Sequence, residues 1–175
     1  MDNNYMQLYS RLFWPHNIKQ NDISILDIAH SLSQQCRYTG HTKKFYSVAE
    51  HSLIVSDYLP HPFKLWGLMH DAAEAYMCDL ASPIKHSLPK FKAMENKIMD
   101  VIAIKYGLAP YPMPVEVKKI DNAILNDEKE QTMRYPDLYQ WGSITEPPLR
   151  CTINFYPPAE AKLLFLERFL ELSFI

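Results

Sequence analysis

Glycine is scarce in this sequence, which limits the kinds of fold and binding loop that it can form. Only four glycines occur in 175 residues, and no Gly-rich phosphate-binding loop of the Walker or dinucleotide type is present. The chain shows no internal repeat and no series of segments that alternate apolar and polar residues. These absences favour an all-α fold and argue against a P-loop or Rossmann nucleotide-binding protein.

Cysteine is also scarce. Cys36, Cys78 and Cys151 are widely separated, odd in number and form no C-x-x-C pair. They therefore indicate neither a disulfide framework nor a thiolate metal site, and a reducing cytosol fits this usage.

Long apolar runs and an excess of positive charge are missing as well. No stretch reaches the roughly 18 apolar residues of a membrane-spanning helix, and the N-terminal MDNNYMQLYSRLFWPHN has no basic leader followed by an apolar run. The formal net charge of −2 argues against binding duplex DNA through a broad basic surface, but it leaves small charged substrates open. We expect a soluble cytoplasmic protein whose partners include neither a membrane nor duplex nucleic acid.

The apolar residues that are present suffice for one core and favour helices. Hydrophobic residues make up 47% of the chain, which is long enough for one domain, residues 1–175, and too short for two ordinary ones. A capping box of Ser47 and Glu50 starts one helix, and Gly107 ends another. The segment RCTINFY is compatible with a β-ribbon. Amphipathic spacing predicts about six helices, including stretches at about 27–36, 91–106, 114–134 and 158–173.

One predicted helix, FKLWGLMHDAAEAYM at residues 63–77, carries charge that a buried helix does not need. His70 lies at the edge of its apolar stripe, flanked by Asp71 and Glu74, and no Lys or Arg follows Lys64 within the segment. Because burying an unpaired carboxylate is costly, this group indicates a metal, a cation from another segment, or a wet cleft. For an isolated His-Asp dipeptide, a core histidine with two rim acids is the commoner explanation.

Two inward-facing polar residues on other predicted helices change this balance. His51 shares its helix face with apolar residues, and so does Asp121 in VKKIDNAIL. Each alone has an ordinary interpretation, as a core histidine and as an N-cap or bend residue. Together with His70 and Asp71 they supply two imidazoles and two carboxylates, a set suited to Mn²⁺, Fe²⁺, Co²⁺, Ni²⁺ or Zn²⁺.

The order of these residues resembles a known family. His51, then His70 with Asp71, then Asp121 resemble the H…HD…D ligand set of the HD-domain metal-dependent phosphohydrolases. The segments CRYTGHTKKFYSVAEHS and HDAAEAYMCDLASPIK resemble the branch with bacterial 5′-deoxynucleotidases and phage deoxynucleoside triphosphate triphosphohydrolases. The resemblance spans roughly residues 22–135 and implies a helical HD-domain bundle, placed in the host cytoplasm if the chain is phage-encoded.

The resemblance also implies roles for further residues. Glu74 and Asp79 would be the catalytic acids, one acting on the attacking water and the other on the leaving oxygen, with the two roles exchangeable. Arg37 and Lys85 would contact phosphate, and Tyr38 would lie beside the deoxyribose.

The number of histidines bears on the number of metal ions. Dinuclear members of the superfamily add histidines between the His-Asp pair and the final Asp, whereas here only His86 lies between Asp71 and Asp121. We therefore expect a single divalent transition-metal ion, Mn, Co, Zn, Ni or Fe, with Mg²⁺ as a candidate companion of the substrate phosphates.

The charge near the two motifs bears on the substrate. Six cations follow Arg37 and Lys85 in the sequence, and they slightly favour a triphosphate, although a solvated basic face explains them equally well. The resemblance to the phage enzymes, which attack the α-phosphorus and include dATP among their substrates, implies a deoxynucleoside triphosphate triphosphohydrolase. We expect dATP as its first substrate and deoxynucleoside and triphosphate as its products. A 5′-deoxynucleotidase acting on dNMPs is the close alternative, and a non-catalytic HD-like nucleotide-binding module is a more remote one. The six cations are His41, Lys43, Lys44, His86, Lys90 and Lys92.

The C-terminal segment AKLLFLERFLELSFI bears on assembly. Members of this branch often form homo-oligomers, and the apolar helix predicted at about 158–173 is suited to such an interface. A helix that packs into the core of the monomer explains the same pattern equally well.

Overall fold

The computed structural model of the chain describes residues 4–109, 112–138, 140–141 and 144–173. Within these residues helices dominate, and the only paired strands are two short ones, so the predicted all-α class is confirmed. The α-helices are α1 (Ile25–Gln34), α2 (Val48–Asp57), α3 (Lys64–Met69), α4 (Glu74–Met77), α5 (Ser82–Lys85), α6 (Pro89–Tyr106), α7 (Val115–Thr132) and α8 (Pro158–Ser173). Strands β1 (Met6–Gln7) and β2 (Leu12–Phe13) form an antiparallel hairpin.

Helix α2 lies at the centre of the bundle. Every residue from Val48 to Ser56 is buried, because α3, α7, α8 and α1 all pack against it. Gly67 allows α3 to approach closely: a Cβ atom there would lie 2.5 Å from Leu59 Cδ1 and 3.0 Å from the Ser56 Cα. The burial of α2 explains how a polar His51 comes to lie inside the protein.

The predicted helix boundaries agree with the structure to within two residues where the amphipathic pattern is long. Helix α8 spans the predicted range, and α6 begins two residues earlier than expected, at Pro89. Helix α8 packs on α1, α2 and α3 and buries Phe165, so it is a core helix on one face. Leu163 on α8 remains 60% exposed, and the homo-oligomer stays a prediction.

The prediction of a single helix at residues 63–77 is wrong. The chain forms two helices, α3 and α4, joined by a turn that is tighter than an α-helical turn. In this turn Ala72 N donates to Met69 O and Glu74 N donates to Asp71 O, each three residues back. The His70 side chain meanwhile hydrogen-bonds the Gly67 carbonyl, an acceptor that a regular helix would give to its backbone. The break therefore occurs at the residues that carry the site.

The capping box is only half formed. Ser47 Oγ accepts from Glu50 N at 3.1 Å, as predicted. The Glu50 carboxylate does not return to the cap but accepts from the backbone N–H groups of Asn154, Phe155 and Tyr156 at 2.7–3.0 Å. The segment RCTINFY is consequently held by a buried side chain. The β-ribbon considered for it is not formed: residues 150–156 contain no strand, and Arg150 and Phe155 have φ values of 61° and 58°.

No helix among the described residues combines the length and the apolar character that crossing a membrane would require.

Candidate metal centre

Three parts of the bundle bring the predicted metal ligands together. His51 lies within α2, His70 and Asp71 lie in the turn after α3, and Asp121 lies on α7. His51 Nε2 is 3.3 Å from His70 Nε2 and 3.2 Å from Asp121 Oδ1. Asp71 Oδ2 is 3.3 Å from His70 Nε2 and 3.7 Å from His51 Nε2. The cluster of His51, His70 and Asp121 can hold a metal ion, since one ligand atom of each lies within 4.8 Å of the others.

The Nδ1 atom of each imidazole is hydrogen-bonded outside the cluster, so that Nε2 is the atom that faces the cluster. His51 Nδ1 lies 2.8 Å from Glu128 Oε1, and His70 Nδ1 lies 2.7 Å from the Gly67 carbonyl oxygen. Because an ionised carboxylate and a carbonyl only accept hydrogen bonds, each Nδ1 carries a proton and each neutral ring presents the lone pair of Nε2. Two lone pairs and two carboxylates then face one another, which is unfavourable unless a cation or added protons lie between them.

The spacing of these donor atoms suits one metal ion. The two Nε2 atoms lie 3.3 Å apart, and Asp71 Oδ2 and Asp121 Oδ1 each lie 3.2–3.7 Å from both of them. Ligand atoms about 2.1 Å from an ion lie about 3.0 Å apart at adjacent octahedral corners and about 3.4 Å apart in a tetrahedron. His51, His70 and Asp121 therefore fit a single ion at this position, and Asp71 lies beside both imidazoles.

Protons replace part of the missing positive charge when no metal is bound. Burial alone would lower the pKa of His70, but Asp71 and Asp121 outweigh it and raise that pKa well above its ordinary value. Burial also opposes a proton on His51, yet Glu128 and Asp121 raise its pKa. Against the effect of burial, the imidazoles hold the pKa values of Asp71 and Asp121 below their usual range. The centre therefore attracts cations.

Glu128 on α7 organises the centre, and the sequence analysis missed it. It is 0% exposed and accepts hydrogen bonds from four side chains, those of Arg37, Tyr38, Tyr46 and His51. Burial disfavours its charge, but Arg37 and His51 prevail and lower the pKa of Glu128 to about 2. Glu128 is thus ionised at neutral pH and fixes the orientation of His51.

Arg37 and Tyr38, the predicted phosphate and sugar contacts, lie beside the centre and are bonded inward. Arg37 Nη2 donates to Glu128 at 3.0 Å, Arg37 Nε forms an ion pair with it at 3.0 Å, and Nη1 lies 3.8 Å from Asp71 Oδ2. Tyr38 donates its hydroxyl to Glu128, and its ring packs against Trp141 with centroids 5.2 Å apart. Arg37 therefore faces the His/Asp cluster mainly with Nη1.

Glu74 and Lys85, predicted for different parts of the reaction, contact each other. Lys85 Nζ donates to Glu74 Oε1 at 3.1 Å and to Glu95 Oε1 of α6 at 2.8 Å. The second Glu74 oxygen, Oε2, is buried and lacks a hydrogen-bond partner among the residues described. Burial, with the charges of Asp71 and Asp79, raises the pKa of Glu74 well above its usual range. Glu74 thus retains one oxygen for a further partner, and Glu95 is a second residue that sequence reasoning missed.

Asp79 lies just beyond α4, where Cys78 turns the chain with a φ of 84°. The Asp79 backbone N–H donates to Gln35 Oε1 at 2.7 Å. Burial raises the pKa of the Asp79 carboxyl, while the charges of Arg37 and Lys85 oppose the rise. The carboxyl is therefore within electrostatic reach of both predicted phosphate-binding cations.

The six further cations near the motifs lie on the surface. Their exposure agrees with two explanations. One is a solvated basic face without a function, and the other is attraction of phosphate at a distance through an electric field that salt screens. The exposed residues are His41, Lys43, Lys44, His86, Lys90 and Lys92.

The fold and the site together define an all-α protein with a partly buried His/Asp cluster able to hold a metal ion. No family model matches the chain. It is 42% identical over 163 residues to YfdR, an uncharacterized protein of Escherichia coli, and the match covers 92% of this chain and 90% of the relative. It is also 29% identical over 164 residues to RCAP_rcc00048, an uncharacterized protein of Rhodobacter capsulatus, with 84% of each chain covered. The chain belongs to the YfdR family.

Proposed function

We propose that this protein is a metal-dependent phosphohydrolase of the HD type that acts on deoxynucleoside triphosphates, with dATP as the first candidate. The observation that supports it most strongly is that one oxygen of Asp71 and one of Asp121 each lie 3.2–3.7 Å from the Nε2 atoms of both His51 and His70, while the Nδ1 atoms of both rings are hydrogen-bonded elsewhere. In a purely structural cluster these groups repel one another unless protons or other cations are added, whereas a bound metal ion uses each of the converging lone pairs.

The proposed cofactor is one divalent transition-metal ion, held by His51, His70, Asp71 and Asp121. When bound, it supplies Lewis acidity toward a phosphoryl oxygen and toward water. The donor set of imidazole nitrogens and carboxylate oxygens is compatible with Mn²⁺, Fe²⁺, Co²⁺, Ni²⁺ or Zn²⁺.

Glu74 and Asp79 are the proposed proton-transfer groups. Burial and the charges of Asp71 and Asp79 raise the pKa of Glu74 well above its usual range, which suits a group that takes up a proton, while a nearby divalent ion would favour its ionised form. Glu74 then accepts a proton from the attacking water through its unpartnered Oε2, and Asp79 delivers one to the leaving oxygen. The two roles are exchangeable within the same geometry.

Arg37 and Lys85 are the proposed phosphate contacts. Arg37 has Nη1 toward the cluster while Glu128 holds the rest of its guanidinium, so its position is fixed before substrate arrives. Lys85 is held by Glu74 and Glu95, and a phosphate oxygen would share its ammonium group with them.

The pairing of these two cations favours one specific alternative, a 5′-deoxynucleotidase. Arg37 and Lys85 are each already bonded to carboxylates, so little unpaired positive charge lies next to the cluster for a triphosphate chain. A monophosphate needs less compensation than a triphosphate.

Incubation of the purified protein with dNTPs, NTPs and dNMPs, with phosphate, pyrophosphate and triphosphate resolved, tests the proposal. Release of triphosphate from dATP is the expected result, and release of phosphate from dNMPs alone selects the alternative. The control is His70→Ala, which removes a metal ligand and is expected to abolish turnover. An inert wild-type protein carrying its metal would overturn the enzymatic proposal and favour a nucleotide-binding module.

A further inference from the structure

Gln35 connects the two parts of the site that carry the proposed chemistry. It follows α1 directly and lies two residues before Arg37. Its backbone carbonyl accepts from Val48 N at 3.1 Å, which ties it to the first turn of α2. The side chain extends the other way, toward the segment that begins with Glu74 and ends with Asp79.

The Gln35 amide group bonds both ends of that segment. Its Nε2 donates to the Glu74 carbonyl oxygen at 3.1 Å, and its Oε1 accepts from Asp79 N at 2.7 Å. Nε2 also donates to Ser31 Oγ at 2.9 Å, and Ser31 Oγ in turn donates to the Ala75 carbonyl at 3.1 Å. Both amide protons and one amide lone pair are therefore used, so the side chain is fixed in orientation.

The bonded segment needs such a support. Between Glu74 and Asp79 the chain passes through Cys78 at φ 84°, a backbone conformation that is unfavourable for a residue other than glycine. Residues in such conformations persist where surrounding contacts over-determine them. The hydrogen bond from Asp79 N to Gln35 is placed directly after the unfavourable residue.

We infer that Gln35 is a positioning residue of the phosphohydrolase reaction: it sets Glu74 and Asp79 at a fixed distance from Arg37 without touching substrate. The inference rests on the proposed function. A single amide joins the segment that carries the phosphate contact to the segment that carries both acids, so its loss lets the two move relative to each other. Displacements of about 1 Å at reacting groups cost rates on the order of 100-fold.

Steady-state kinetics of Gln35→Met, Gln35→Glu and the control Gln34→Met, with the substrate that wild type prefers, test this inference. Methionine keeps the length of the side chain and removes the amide, and we expect kcat to fall about tenfold or more while KM changes less than about threefold and the metal content stays that of wild type. Gln35→Glu keeps an acceptor for Asp79 N and is expected to recover part of the lost kcat. Gln34 is exposed, and its variant is expected to match wild type.

Distinct outcomes separate this inference from the proposed function. A kcat of Gln35→Met within about twofold of wild type, or a fall in kcat that only parallels loss of metal, overturns the positioning role. If Gln35→Met does not fold, Gln35→Glu decides by the same criterion: a lowered kcat with unchanged KM and metal supports the role, and a wild-type kcat overturns it. Failure of the proposed function is seen before any variant is compared, because the wild-type protein then turns over no nucleotide. That result also overturns the positioning role of Gln35.

Discussion

At the scale of single residues, Glu128 decides how the centre is held. A carboxylate with no exposed surface is tolerated only when it is fully bonded, and Arg37, Tyr38, Tyr46 and His51 together satisfy it. Its bond to His51 Nδ1 selects the tautomer that presents Nε2 to the ligands. A residue outside the proposed ligand set thereby orients a residue inside it.

Glu128→Gln tests this control. The amide keeps the shape but loses the charge, so we expect metal affinity to fall by about 10- to 100-fold, the usual effect of losing a partner of a ligand. Stability should fall by about 3 kcal/mol or more, because Arg37 is left buried opposite a neutral group. Tyr46→Phe, which removes one hydrogen bond to Glu128, is the control and should cost about 1 kcal/mol with metal affinity intact. Calorimetric metal titration and urea unfolding measure the two quantities, and an unchanged affinity in Glu128→Gln contradicts the orienting role.

Glu74→Gln and Asp79→Asn separate proton transfer from metal binding. Each is expected to lose about 100-fold or more in kcat while it retains metal and fold, because acid and base contributions are of this size. Turnover is measured beside metal content. A variant that loses its metal identifies that residue as a ligand and contradicts its assigned role.

The hydroxyl and the ring of Tyr38 have different contacts, so that their roles can be tested separately. Its hydroxyl serves Glu128 and its ring packs on Trp141. If the ring excludes a 2′-hydroxyl, Tyr38→Ala should narrow the preference for dATP over ATP, whereas Tyr38→Phe, which keeps the ring, should leave that preference unchanged. The ratio of kcat/KM for the two nucleotides and the melting temperature are measured together. An unchanged ratio in Tyr38→Ala with a stability loss of about 3 kcal/mol indicates that the ring only packs.

The site residues that could be predicted from sequence have a local pattern around them in the chain, whereas most of those that were missed depend on contacts between distant segments. His51 and Asp121 were predictable because an apolar helix face surrounds each of them along the chain. Glu128 lies seven residues after Asp121, on the same face of α7, so that its signal was present though unused. Gln35 and Glu95 had no such signal, because the site residues that they bond, Glu74, Asp79 and Lys85, lie 10 to 44 residues away and only the packing of separate elements brings them together.

At the scale of elements, the contact between α2 and α3 places His70 opposite His51. Gly67 permits the approach, and its carbonyl holds His70 Nδ1. The sequence pattern predicted a helix here but not its end at Met69. The apolar residues keep their helical spacing through the following turn, although its backbone hydrogen bonds join residues three apart and not four apart. The spacing of apolar residues does not reveal a helix end that arises because a side chain, here His70, bonds a backbone carbonyl, here that of Gly67.

Gly67→Ala tests the coupling between helix packing and the centre. The added methyl must displace Leu59 and the α2 backbone, so we expect a net loss of about 1–2 kcal/mol in stability and a metal affinity lower by about tenfold. Gly107→Ala is the matched control, since a Cβ there meets open space but φ is +62°. It should also cost about 1 kcal/mol, with no change in metal affinity. Equal metal affinities in the two variants would contradict the coupling.

At the scale of the whole molecule, the bundle gathers carboxylates around the imidazoles of His51 and His70. Cations also approach these carboxylates from the edge of the cluster: Arg37 Nη1 lies 3.8 Å from Asp71, and Lys118 Nζ donates to Asp121 Oδ2 at 2.7 Å. The metal-free protein therefore binds protons at His51 and His70 more tightly than the unfolded chain does. Because these pKa values are raised on folding, their stabilisation is complete below about pH 6.5 and is lost as the pH rises through the folded values. The lowered pKa values of Asp71 and Asp121 act only at acidic pH, in the opposite direction.

The most direct test of a metal centre at this position is the change in Tm that a divalent ion causes between pH 6 and 9. Metal competes with protons for the same Nε2 lone pairs, so the metal-free Tm should fall as the pH rises while the gain from Mn²⁺, Co²⁺, Ni²⁺, Zn²⁺ or Fe²⁺ should grow. His70→Ala should lose that gain at every pH. A wild-type Tm that none of these ions raises at any pH in this range would contradict the account.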